Sequence, residues 1–378
     1  MKALILAIIV LIAIGNAVNI SETAKEIQNA HVQLIVTKYY DIKIQKEIVP
    51  ELSEITGRTY SISVSHMQSG FFVNENGMII SASDQDESVY IKEAVDKIER
   101  NIVADVASIE HIKKFGTNVS EDQLTDYLRY FRNTYGELYD QYKNGSINVT
   151  KTAEARFVLS PGRNQTIARL IKKDNDSQIV QSNISSAPTV IFLPNLTTQK
   201  GDDIYIVEES GFETAIISNI ANQKIKIDSD ISPGQIAIDR NGNIIGMANG
   251  NNRTLISSDS IIAKLQQNSI ANTKSQTTKN YEQAVLDFQT GNYQKALDEF
   301  EQLATAYPSQ QILEYRDDAK ERTNELMQII KNPQYWIIAV VIITIGYFGF
   351  RFLNRPKERK GRKRGRYNAE EEEVDYSS

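Results

Sequence analysis

Residues able to do chemistry are sparse in this 378-residue chain. Its three histidines, His31, His66 and His111, stand far apart, and there is no cysteine. That removes thiolate nucleophiles, cysteine-bound zinc and any disulfide framework. No His-x-x-x-His pair, phosphate-binding loop or dinucleotide fingerprint occurs, so neither cofactor nor metal is expected. Acidic pairs at Asp84 and Asp86, Asp202 and Asp203, and Asp228 and Asp230 share the composition of calcium loops, which is equally that of solvated turns. Serine chemistry needs a nucleophile, a base within hydrogen-bond reach and donors for the developing oxyanion. Ser232 sits in a tight Ser-Pro-Gly-Gln turn, but the following Pro233 has no N–H to offer.

The elements around these residues read mainly as strands. Ile225 to Met247 gives a strand, a Pro-Gly turn, an apolar strand from Gln235 to Asp239, an Asn-Gly hairpin and a third strand from Asn243. Ser69 to Ser83 has the same character around Gly77. A possible helix from Ser21 precedes an apolar strand, Val32 to Tyr40, and Tyr60 to Val73 alternates as strands do. Glu87 to Tyr142 is different. Ile91, Val95, Ile98, Ile102 and Val106 recur at helical spacing, and an aromatic-rich second helix follows through Tyr127, Phe131 and Tyr142. Such a stripe predicts a hairpin packing its own apolar face, with cover over a binding groove as the sharper alternative.

These motifs resemble trypsin-like serine proteases of the HtrA type. Ser69 to Ser83 resembles the Gly-Ser-Gly-Phe strand, hairpin and histidine-bearing strand of that family, and Gly201 to Phe212 its Gly-Asp-x-Val strand. Thr214 to Ile220, Ser232 to Met247 and Leu255 to Leu265 follow in the family's order. Five motifs in order over roughly 200 residues are far more specific than any one alone. The resemblance implies a double β-barrel over 18–265 with a helical insertion at 87–142. It also implies a degenerate triad. Asp84 stands where the family has its histidine, and Thr189, opening Thr189 to Pro194, where it has an aspartate. Ser232 matches the asparagine of the family's turn, and the Ser-Gly-Gly that should follow is missing. A carboxylate of pKa about 4 is poorly matched to act as the base for a serine.

Residues 266–279, rich in Gln, Asn, Ser and Thr, read as a linker. In 280–331, Ala284, Gly291, Tyr293, Ala296, Phe300 and Pro308 resemble a tetratricopeptide hairpin, though a plain helical stalk fits equally. Residues 1–17 read as a signal peptide and 335–353 as a transmembrane helix. The basic start of the tail, 354–378, places that side in the cytoplasm. The body is then extracytoplasmic, and the sequons at Asn19, Asn118, Asn144, Asn148, Asn164, Asn175, Asn183, Asn195 and Asn252 are glycosylation candidates.

The expected protein is therefore mainly β: a double barrel with a helical insertion, an α-helical hairpin and one membrane helix. The expected function is that of a single-pass, inactive peptidase homologue binding a protein or peptide at the cell surface. An active serine endopeptidase with unorthodox residues and a structural envelope component are the alternatives. A net charge of -6 argues against nucleic acid, and homo-oligomerisation is left open.

Overall fold

A computed structural model describes residues 20–45, 55–115, 119–161, 165–194, 197–208, 211–249 and 253–331, together with 342–345, 347 and 350. Residues 1–320 form one compact unit and 321–378 a second.

The first unit holds two closed six-stranded barrels with antiparallel neighbours throughout, the architecture of the trypsin-like fold. Barrel 1 uses β1 (His31–Ile44), β2 (Thr59–Phe72), β3 (Met78–Ala82), β4 (Ile147–Leu159), β5 (Thr166–Lys173) and β6 (Ser177–Ser182), closed in the order β1-β2-β3-β6-β5-β4. Barrel 2 uses β7 (Asp203–Glu208), β8 (Gly211–Ala221), β9 (Lys224–Ile227), β10 (Ile236–Ile238), β11 (Ile244–Ala248) and β12 (Thr254–Ser257), closed as β10-β11-β12-β9-β8-β7. Alternation decides which side chains fill them. On β1, Val32, Leu34, Val36, Tyr40 and Ile42 are buried, and Lys38 falls in the same inward register. The two Asn-Gly hairpins form for local reasons. Asn74 accepts from the backbone N–H of Asn76 at 3.0 Å, Asp239 accepts from that of Asn243 at 2.9 Å, and Gly77 and Gly242 adopt φ of 76° and 82°.

The insertion comprises three helices rather than two: α2 (Glu87–Phe115), α3 (Glu121–Tyr135) and α4 (Leu138–Lys143), because Gly136 ends α3 at φ 78°. Tyr90, Val95, Ile98, Ile102 and Val106 pack into one apolar cluster with Val64 and Ile147 of barrel 1. The stripe thus completes the core of barrel 1.

Helix α5 (Ser258–Gln267) follows barrel 2, and α6 (Gln276–Gln289), α7 (Tyr293–Ala306) and α8 (Gln310–Lys331) follow it. The segment expected to link them is short and tied down. The Thr273 N–H donates to the Val73 carbonyl at 3.2 Å, and the Asn272 amide donates to that of Phe192 at 3.0 Å. Its backbone and polar side chains bond to the segments around Val73 and Phe192 instead of solvating a tether. The helices α6 and α7 meet closely because Ala284 and Ala296 are small and fully buried. Phe300 fills the centre, its ring stacked at 5.3 Å on that of Tyr315. Residues 20–29 form α1, which closes this group: Asn29 hydrogen-bonds Ser309, Gln311 donates to Gln28 at 3.1 Å, and the Lys25 ammonium lies 4.5 Å from the Tyr315 ring centroid.

No helix among the described residues is long and apolar enough to cross a membrane. The expected signal peptide, most of 335–353 and the tail at 354–378 lie outside the described residues.

Where α1 meets α6, Glu26 faces Glu282 and Lys274. Burial first, then the Glu282 charge, pushes the Glu26 carboxyl up to about 7, against the pull of Lys274. A raised folded-state pKa gives stability that is full below the ordinary value of 4.5 and lost as pH rises through about 7. Thermal melts should show this contribution declining from pH 5 to pH 8, and Glu26→Gln should flatten that part of the profile.

Candidate functional site

Two residues beyond the end of β3 lies Asp84, 8% exposed. Its Oδ2 is 3.2 Å from the Lys38 ammonium inside barrel 1, and Lys173 of β5 also pairs with it. The same ammonium is 2.8 Å from Glu87 at the start of α2 and 3.8 Å from the Tyr90 ring centroid. Tyr40 donates to Glu87 at 2.6 Å. Burial by itself raises the Asp84 pKa, but the hydrogen bonds and charges of Lys173 and Lys38 outweigh it and hold the carboxyl below the ordinary aspartate range. Asp84 is a fixed counter-ion. It is no poised base.

The strand expected at Thr189–Pro194 joins neither barrel. The Thr189 N–H donates to Thr278 Oγ1 at 2.7 Å and its hydroxyl donates to the Thr273 carbonyl at 3.1 Å, so Thr189 anchors α6, and the partners of Asp84 are Lys38 and Lys173 instead. On the side of β3 away from β2 the paired strand is β6, and the residue just before it is Asp176, whose carbonyl accepts the Ser83 N–H at 3.1 Å. Asp176 is tied to barrel 2: the Lys224 ammonium is 2.7 Å away and the Asn249 amide 3.3 Å. Beside it, Lys264 of α5 lies 3.1 Å from Asp174. A second set of ion pairs thus crosses between the barrels here.

Ser232 stands in the turn before β10, and every backbone N–H of that turn is committed. That of Ser232 donates to Gln235 Oε1 at 2.8 Å, Pro233 has none, that of Gly234 donates to the Ala248 carbonyl at 3.0 Å, and that of Gln235 returns to the Ser232 carbonyl at 3.1 Å. Gly234, at φ 86°, sits where a Cβ would overlap the Ser69 carbonyl, which presses the turn against β2. No backbone N–H of this turn is left to hold an oxyanion.

Beside the turn lies a cavity of about 450 Å³, lined by His31, Ser69, Phe71, Glu208, Ser232 and Gln235 among others, with no lysine or arginine among the described residues of its wall. His31 opens β1 and its ring lies 5.4 Å from that of Phe71. His66 pairs with Glu93 at 2.9 Å, and His111 is buried in α2. None of the three stands at the end of β3, where Asp84 lies. No described residue of 87–143 lines the cavity.

The acidic turns serve the backbone. Asp202 accepts the Gln199 N–H at 2.7 Å and Asp228 that of Ile216 at 2.7 Å. Among the described residues, no group of three or more His, Asp or Glu could hold a metal ion. Of the sequon asparagines, Asn144, Asn148, Asn175 and Asn183 are exposed; Asn19, Asn118, Asn164, Asn195 and Asn252 lie outside the described residues.

No family model and no curated protein matches the chain. Similar solved structures include the HtrA-type protease AlgW with a decapeptide: 13% identity, TM-score 0.32, over 65% of this chain and 66% of that one. A serine endoprotease from Yersinia pestis matches at 12% identity and TM-score 0.33, over 65% of each chain. Rv3671c from M. tuberculosis, a mutant in an inactive form, matches at 10% identity and TM-score 0.32, over 66% of this chain and 93% of that one. The chain spans just under two thirds of the first two. Superposition this loose adds no weight, and the double barrel stands on its own strand order.

Sequence reasoning missed Lys38 and Asp176. Lys38 was detectable as a cation in the apolar phase of β1, and Asp176 as the acid opening Ser-Gln-Ile-Val-Gln. Removing the Lys38 charge leaves the buried Asp84 with only the partly exposed Lys173 as counter-ion, so Lys38→Met should cost about 3 kcal/mol in denaturant unfolding. Lys173→Met, at a 36% exposed side chain, should cost under about 1 kcal/mol.

Proposed function

We propose that this chain is a catalytically inactive homologue of trypsin-like, HtrA-type serine proteases that binds a protein or peptide partner outside the cytoplasm. The observation carrying this reading is the Ser232–Gln235 turn, whose N–H groups are all committed or absent. Asp84, neutralised by Lys38 and Lys173 at the position the family gives to its base, supports it. Binding is assigned to the cavity beside Ser232, where the amides of Gln28, Gln235, Gln310 and Gln311, the Glu208 carboxylate and the Phe71 ring offer hydrogen-bonding and apolar contacts to a peptide segment. Anchoring through 335–353, glycosylation at the exposed sequons and a tetratricopeptide-like role for α6 and α7 belong to the same proposal, on sequence grounds.

One observation favours a second reading. His31, Ser69 and Ser232 line the same cavity, the arrangement an unorthodox serine endopeptidase would need. A fluorophosphonate probe on the full-length protein, beside a casein digest and an active control protease, separates the two. The inactive reading expects no labelling and no cleavage. Labelling lost in both Ser232→Ala and His31→Ala would establish an enzyme instead.

A further inference from the structure

The outer face of barrel 1 carries a band that neither the ion network nor the cavity uses. Outward-facing Ile35 on β1 is paired with Met67 on β2 and Phe157 on β4, and Phe157 is paired in turn with Ile167 on β5. Four apolar residues thus stand in one row across four strands, a width on the order of 15 Å at the usual strand spacing. Met67 is 68% exposed and Ile167 72%, values far above those of scattered surface apolar residues at a strand edge such as Leu159, at 37%. In the neighbouring row, Thr37 lies between Ser65 and Ala155, so small uncharged residues continue the face. No carboxylate interrupts these rows. Their border on β5 is cationic: Arg169 and Lys172 are exposed, and neither has an ion-pair partner among the described residues.

We propose that this face of barrel 1 docks on an anionic lipid surface. Met67 and Ile167 enter the boundary between headgroups and acyl chains, and Arg169 and Lys172 pair with lipid phosphates. Charge selects this occupant. In an isologous contact with a second copy the face would meet itself, and the unpaired cations would be set against apolar rows that carry no carboxylate. The face is also built from strand side chains on a barrel exterior, which suits a fluid, featureless partner. The inference is independent of the proposed anchor at 335–353 and of the cavity beside Ser232.

Because the chain has no cysteine, a single substitution gives a single label site. Full-length Met67→Cys and Ile167→Cys, each carrying an environment-sensitive fluorophore, are mixed with vesicles of phosphatidylcholine alone or with phosphatidylglycerol. Lys200→Cys, exposed before β7, reports the background. The proposal expects blue-shifted emission and quenching by a lipid-borne quencher at positions 67 and 167 in anionic vesicles, and neither at position 200. Each of Arg169→Gln and Lys172→Gln should weaken that partition about fivefold. Water-like emission at both positions in anionic vesicles would overturn it. So would shielding that arises without lipid and grows with protein concentration, which would give the face to a second copy.

Discussion

A buried ammonium sets the terms for barrel 1. Lys38 lies in the inward register of β1, its side chain 2% exposed, among Val36, Tyr40 and the other apolar residues of that phase. A charge so placed is tolerated only when it is paired and hydrogen-bonded. Asp84 supplies one carboxylate from the chain just after β3, Glu87 another from the first turn of α2, and the Tyr90 ring a third contact. The end of β3, the start of the insertion and the interior of β1 are therefore one electrostatic unit. None of them can move without stranding the charge of another.

That constraint bears directly on function. A side chain that keeps Lys38 neutralised is not free to accept a proton from a nucleophile, and its pKa is displaced away from the range a base needs. The seam between the barrels repeats the pattern: Asp176 is paired with Lys224, and Asp174 with Lys264. The Ser232 turn closes on itself with its own hydrogen bonds. At Asp84 and in the Ser232 turn, the charge and the backbone N–H groups are satisfied by partners within the protein. Among its described lining residues, the cavity near Ser232 carries His31 and Glu208 beside neutral amides and hydroxyls.

Much of the fold was legible in the sequence because its signals are local. The Asn-Gly turns at Gly77 and Gly242 are set by neighbouring side chains, and alternation in β1 and β2 follows from the pleat. The helical stripe of α2 was equally plain. Other features were hidden because distant partners decide them. Lys38 reads as an ordinary strand lysine until β3 and α2 bring carboxylates to it. The run Thr189 to Leu193 is richer in β-branched and aromatic residues than the six residues of β6, yet β6 is the strand. Propensity describes a surface that fits a sheet, and pairing with β3 decides which segment occupies it. The polar stretch around Thr273 resembles a flexible tether in composition, and its hydrogen bonds to Val73 and Phe192 are visible only in three dimensions.

The most direct test of this account is a double-mutant cycle on Lys38→Met and Asp84→Asn, with unfolding free energies from denaturant titration of both singles and the double. If the ion pair organises barrel 1, the double mutant should be more stable than the sum of the singles allows, with a coupling of about 1.5–3 kcal/mol. Single-mutant costs that add to within about 0.5 kcal/mol would contradict it, since independent residues behave that way.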